Sequence, residues 1–210
     1  MSPDDKGAWL NQRVGKLTAS RMADAMDVTK AGKPGAKRTA LLKTVLAERL
    51  TGDAAPNFVS ERMLRGLELE PAGKAEFELR TGQMLGNCGF FDHPDIDLFG
   101  CTPDALVGSD AVFEMKAPDT STHVDYMLAG AVVPERYRPQ VLAQLACTGR
   151  KTVWFASYDP RIKNHSKQMH IVCWTPEQTE IEAVEQAARD FLAEVEAMFE
   201  QLTEKVAAIT

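Results

Sequence analysis

Ala111-Val112-Phe113-Glu114-Met115-Lys116-Ala117, preceded at Thr102-Pro103-Asp104 by the end of a second strand-like run, is the stretch on which the reading of this chain turns. Alternation along a strand sets Val112, Glu114 and Lys116 on one face and Phe113 and Met115 on the other. With the apolar pair directed into a core, a carboxylate and an ammonium are left at the edge of a buried sheet, where charged groups are costly unless paired or bound to something. Gly100 and Gly108 bracket a hairpin that places Asp104 beside Glu114. Two carboxylates on adjacent strands, with the Met115 carbonyl between Glu114 and Lys116, make a set of hard oxygen ligands suited to Mg²⁺. Lys116 is then placed to orient or deprotonate a water that attacks a phosphodiester. An isolated Glu-x-Lys is most often a surface ion pair; Pro-Asp, nine residues and then Glu-x-Lys is more restrictive.

Outward from this stretch, the flanking text alternates between helix and strand. Phe90 to Gly108 is rich in Phe, Ile and Leu and punctuated by Gly, Pro and Asp, as strands and turns are. Upstream, an amphipathic helix starts near Thr18 or Ser20, and a second spans 39–50, with Leu41, Leu42, Val45, Leu46 and Leu50 at three- and four-residue steps and Gly52 ending it. A third helical region, 60–80, contains Pro71, which predicts a kink or a division beside Glu70. Downstream come helices around 121–129 and 135–147, paired strands at 152–158 and 169–174, and one long amphipathic helix over 177–208. Neither a repeat nor a linker interrupts 210 residues that are 44% apolar. The expectation is a single α/β (α+β) domain over residues 1–210, a mixed central sheet at 90–175 flanked by helices.

The formal net charge of −6 argues against a polyanionic partner until its distribution is counted. Residues 1–50 hold ten Lys and Arg against five acids, while 176–210 hold nine acids against Arg189 and Lys205. The charge is polarised along the sequence: an acidic terminal helix turned to solvent most often serves solubility alone, while a basic first part kept apart from it permits electrostatic steering without a basic chain. The opening MSPDDKGAWLNQR lacks a basic-then-apolar signal layout, and no apolar run is long enough to span a bilayer, so an intracellular location with no membrane contact is expected. Cys88, Cys101, Cys147 and Cys173 contain no CxxC pair and read as buried reduced thiols. His93, His123, His165 and His170 lack the spacing of a helical metal site.

Several ordered blocks then resemble one family across nearly the whole chain. They are Trp9-x-x-x-Arg13-x-Gly15-x-x-Thr18-Ala19-Ser20, Gly66-x-x-x-Glu70-Pro71, His93-Pro94-Asp95-Ile96-Asp97-Leu98 running on to Thr102-Pro103-Asp104, Glu114-Met115-Lys116-Ala117-Pro118, Gln140-Val141, Thr148-Gly149 and Tyr158-Asp159-Pro160-Arg161. The chain is similar to the PD-(D/E)xK nuclease superfamily and, within it, to the phage lambda-type exonucleases of viral recombination systems. That resemblance implies a restriction-endonuclease-like core and a Mg²⁺-dependent 5′–3′ exonuclease on linear double-stranded DNA, releasing 5′-mononucleotides and leaving a 3′ overhang. It assigns Asp104, Glu114 and the Met115 carbonyl to the metals, two per site with Mn²⁺ able to substitute. Lys116 becomes the catalytic lysine, Glu70 an added acid near the second metal, and Gln140 a neighbouring catalytic group, with Gln144 one turn away as its substitute. Arg13, Thr18, Ser20 and Lys30 are assigned to the DNA 5′-phosphate and duplex, carried by N-terminal helices within 8–80. Read alone, Thr18 and Ser20 are helix N-cap hydroxyls, and a helix start is also a receptor for phosphate.

The same resemblance implies a homotrimeric ring around the duplex, a single-strand annealing protein as partner, and a phage or prophage product in the cytoplasm of a bacterial host. Two other readings stay open from the sequence: an endonuclease or repair nuclease of the same fold, and a catalytically silent DNA-binding phage protein.

Overall fold

The computed structural model describes residues 12–56 and 61–207; Trp9 and the start of the expected 8–80 helical region lie outside them. In chain order the elements are β1 (Leu17–Thr18), a 3-10 turn (Ala19–Arg21), α1 (Met22–Ala25), α2 (Ala36–Thr51), α3 (Glu61–Thr81), β2 (Leu85–Gly86), β3 (Phe91–Asp92), β4 (Phe99–Cys101), β5 (Ala105–Val107) and β6 (Ala111–Lys116). They continue with α4 (Thr120–Ala129), a 3-10 turn (Glu135–Tyr137), α5 (Arg138–Thr148), β7 (Thr152–Tyr158), β8 (Met169–Trp174) and α6 (Gln178–Ala207).

The strands form two sheets rather than one. Five line up as β2-β5-β6-β7-β8 and three as β1-β4-β3. In the larger sheet β6 runs antiparallel to β5 and parallel to β7, so the strand carrying Glu114 and Lys116 is central and not at an edge. Its burial on both sides follows from its composition. Val112 joins one core with Leu17, Phe99, Val141, Leu145, Phe155 and Phe191. Phe113 and Met115 join a second with Phe77, Tyr158 and Met169. Helix α5 lies against the first face and α3 against the second, where the Phe77 and Phe113 rings meet at 4.6 Å.

The hairpin turns at Gly108, whose φ is +53°, but Gly100 belongs to the other sheet, where it pairs with Thr18 and Asp92. A side chain at 100 would meet the Phe90 ring at 2.4 Å and the Phe91 carbonyl at 2.7 Å, so glycine serves close approach there and not a turn.

Other local expectations also change. Helix α3 runs unbroken through Pro71. A proline removes one donor from a 21-residue ladder, and the burial of Phe77 against the sheet offsets that loss. The predicted helix at Thr18 is a 3-10 turn followed by a single turn of α-helix, and Thr18 makes no capping bond; Ser20 lies inside the turn. Gly52 ends α2 in the left-handed region as expected. Only Cys101 and Cys147 are fully buried, whereas Cys173 is exposed.

The acidic terminal helix does not simply face solvent. Glu194 and Glu196 pair with Arg38 and Arg49 of α2, and Glu180 pairs with Arg138 of α5. Arg38 and Arg49 also lie over the Phe191 and Phe199 rings of α6 at 5.4 and 4.6 Å. Two of the ten basic residues counted in 1–50 are therefore neutralised by acids of the terminal helix.

Candidate active site

At the C-terminal end of β6 the antiparallel register closes with Ala105↔Phe113, and the chain bends at Asp104 just before β5, which brings that carboxylate to Met115, the residue after Glu114. The Met115 N–H donates to Asp104 Oδ2 at 2.7 Å. Backbone N–H and C=O of one strand residue point to the same side, so the Met115 carbonyl is directed, like its N–H, past the last paired residue of β5. The ladder thus ends at Ala105, beyond which the Asp104 carboxylate occupies the Met115 donor.

Glu114 is 2% exposed and takes three side-chain donors. Gln140 Nε2 reaches Oε1 and Gln144 Nε2 reaches Oε2, each at 2.6 Å, while the Lys116 ammonium donates to Oε1. Lys116 Nζ also donates to Gln140 Oε1 at 3.2 Å. Gln140 and Gln144 both belong to the site, then, with distinct places. Gln140 is half-buried and touches both Glu114 and Lys116; Gln144 is fully buried behind the carboxylate, its Oε1 without a partner.

Burial and then the charge of Glu114 push the Asp104 carboxyl up to about 8, against the opposing pull of Lys116 and the Met115 N–H, with Glu70 adding to the rise. Burial would depress the Lys116 ammonium, but Glu114 and Asp104 outweigh it and hold its pKa above the ordinary value. Glu70 on α3 is paired with Lys74 at 2.6 Å, near enough for its charge to reach Asp104.

How α3 comes so near is visible at Gly73. A Cβ there would stand 2.1 Å from Met115 Sδ and 3.2 Å from the Tyr158 ring. Glycine lets the helix lie directly on the strand, three residues past Glu70.

A second group gathers at the N-terminal side. Thr18 Oγ1 and Ser20 Oγ are 3.3 Å apart, and Arg13 Nη2 donates to Ser20 Oγ at 3.4 Å. Burial and the neighbouring Arg21 lower the Arg13 pKa. An open cleft of about 360 Å³, lined by Ser20, Ala23, Asp24, Lys37, Arg136, Tyr137 and Gln140, lies between Ser20 of this group and Gln140, the partner of Glu114. Lys30 is exposed in the turn before α2 and does not line the cleft; Lys37 does. Sequence reasoning missed Lys37, Arg136 and Tyr137, although the spacing Tyr137-x-x-Gln140-x-x-x-Gln144 is a helical stripe that could have been read.

Among the described residues no three His, Cys, Asp or Glu side chains form a metal-binding group. The donor set is two carboxylates and one carbonyl, all hard oxygens, and this fits Mg²⁺, which keeps several waters of its own. The raised Asp104 carboxyl fits as well, because a divalent cation would favour its ionised form.

Residues 8–151 match the YqaJ-like viral recombinase domain. The chain belongs to this family. Among solved structures, this YqaJ-like chain is similar to LHK-Exo, an alkaline exonuclease from Laribacter hongkongensis, in two crystal structures, one in complex with dAMP. In both the identity is 36% over 97% of this chain and 100% of that chain, with a TM-score of 0.89. A phage related exonuclease from Haemophilus somnus 129PT is 14% identical over 91% of this chain and 96% of its own, with a TM-score of 0.67, a likeness of fold. No curated protein matches the chain. The resemblance to viral recombination exonucleases and the mixed α/β fold are both borne out, and among the described residues no helix is long and apolar enough to cross a membrane.

Proposed function

We propose that the chain is a Mg²⁺-dependent 5′–3′ exonuclease on linear double-stranded DNA, releasing 5′-mononucleotides and leaving a 3′ single strand for recombination by annealing. The observation that carries this reading is the convergence of Asp104, Glu114 and Lys116 at the end of one central strand, β6, whose Met115 lies between the last two. Asp104, Glu114 and the Met115 carbonyl would hold the cation, with Glu70 serving a second; Mn²⁺ would substitute. A divalent cation bound there supplies Lewis-acid polarisation of the phosphoryl oxygen and acidifies a water.

The chain's own groups do the rest. Lys116, held by Glu114 and Gln140, keeps a donor free for the attacking water or the phosphate. Gln140 bridges Glu114 to the cleft, and Gln144 fixes the second Glu114 oxygen. Arg13, Thr18 and Ser20 would receive the DNA 5′-phosphate, with Lys37 taking the role first given to Lys30. The LHK-Exo complex with dAMP, a 5′-mononucleotide, supports this product class. A homotrimeric ring, a single-strand annealing partner and action in the cytoplasm of a phage-infected bacterium complete the proposal.

The test is digestion of linear duplex bearing a 5′-phosphate or a 5′-hydroxyl, with and without Mg²⁺, beside a covalently closed circle. Mononucleotide release from the phosphorylated end alone, only with the cation, is expected. Cutting of the circle would favour an endonuclease of the same fold, and binding without any cleavage would favour a silent DNA-binding protein.

A further inference from the structure

Lysine carries its charge on a flexible four-carbon stem, so an ammonium that must stand at one point needs more than a carboxylate to hold it. The Lys116 Nζ lies 5.0 Å from the centroid of the Tyr137 ring, and that ring is itself fixed. It packs at 5.5 Å on Phe155, the β7 residue in register with Glu114, and meets the Tyr126 ring edge-on at 6.4 Å. Its backbone closes a 3-10 turn that follows Pro134 and runs into α5, which has a proline in its first turn. Tyr137, Gln140 and Gln144 lie three and four residues apart along one face of this segment. A single element therefore delivers Tyr137, Gln140 and Gln144 to the Glu114 and Lys116 pair.

We infer that Tyr137 is a positioning residue: the face of its ring holds the Lys116 ammonium in place, so that Glu114 and Gln140 take two of its hydrogens and the third is aimed at the reacting phosphate. A ring face attracts a cation without accepting a conventional hydrogen bond, which leaves the third donor unspent. This role rests on the nuclease reading above.

The experiment compares DNA cleavage by the full-length wild type, Tyr137→Phe and Tyr137→Leu, followed by a series with mono-, tri- and pentafluorinated phenylalanine at 137. Tyr137→Phe keeps the ring, and its kcat should stay within about twofold of wild type; Tyr137→Leu should lose about tenfold in kcat with little change in KM. Fluorination drains negative charge from the ring face at nearly constant shape, so kcat should fall stepwise while the melting temperature holds. The Arg136 guanidinium also lies over this ring, at 4.9 Å, and the series is therefore repeated with Arg136→Ala, where the stepwise fall should persist. A flat fluorination series, equal losses in Phe and Leu, an effect confined to KM, or disappearance of the trend with Arg136→Ala would each overturn the inference. If Leu fails to fold, the fluorinated series decides alone. A wild type with no cleavage would overturn the nuclease reading instead, so the two failures are distinguishable.

Discussion

Asp104 accepts the Met115 N–H at 2.7 Å, so one carboxylate both replaces a lost rung of the β5–β6 ladder and stands among the oxygens proposed to bind a cation. Its structural and chemical duties separate on substitution. In Asp104→Asn an amide oxygen still accepts the N–H, and melting should stay within a few degrees of wild type, whereas cleavage should fall about 10²- to 10⁴-fold. Lys116→Ala should lose cleavage to a similar extent and keep duplex binding in a mobility-shift assay. Unchanged digestion by either variant would refute the assignment.

Asp159, in the Tyr158-Asp159-Pro160-Arg161 block, is fully buried and takes donors from Arg161 (Nε at 2.8 Å), Arg65 (Nη2 at 3.3 Å) and Thr120, joining the end of β7 to α3 and α4. Burial would raise its pKa, but Arg161 and Thr120 prevail and hold it well below the ordinary carboxylate range. A carboxyl depressed in the folded state contributes stability above its unfolded pKa of about 3.9, and this is lost as pH falls toward the folded value. Asp159→Asn should therefore melt lower than wild type at pH 7, and the gap should narrow as the pH falls below 4. A gap that widens in acid would show that the carboxylate is not the stabilising form.

Glu48 on α2 is 2% exposed and accepts a two-pronged bond from Arg21 at 2.8 and 2.9 Å, together with the N–H groups of Gly15 and Ala55. Burial opposes ionisation there, but these donors lower its pKa overall. Glu48→Ala leaves a guanidinium and two backbone donors unserved and should cost about 3 kcal/mol in chemical denaturation, with the slope unchanged. Since Glu48 anchors the loop before β1, which carries Arg13, the variant should also lose discrimination between 5′-phosphate and 5′-hydroxyl ends.

Gly73 and Met115 touch where α3 crosses β6. Gly73→Ala should cost about 1–3 kcal/mol by overpacking, and Met115→Ala should cost stability through a cavity. The double variant should be more stable than the sum of the two predicts, because each change makes room for the other. Additive losses would mean that the helix and strand do not bear on each other at this point.

The strands, helices and charged triad were readable because each has a local signal. The period of two from Val112 to Lys116 separates the two cores, and the spacings in 39–50 and 177–208 mark helices. What escaped depends on contacts distant in sequence. Glu48 looks like any solvent-side acid of an amphipathic helix until Arg21 and two loop amides close over it. Tyr137 gains meaning only from Lys116, 21 positions earlier in the sequence. Pro71 did not divide α3, because the burial of Phe77 against the sheet outweighs one missing backbone bond. Thr18 and Ser20 suggested a cap, yet their hydroxyls face each other and Arg13 instead.

The pairing of α6 with α2 bears on how much cationic surface the molecule presents. Glu194 and Glu196 already engage Arg38 and Arg49, so two of the arginines that make the first fifty residues look basic are occupied before any polyanion arrives. Removing the last helix would therefore do more than thin the interior: it would turn a neutral flank into an attractive one and give nucleic acid a wrong place to settle.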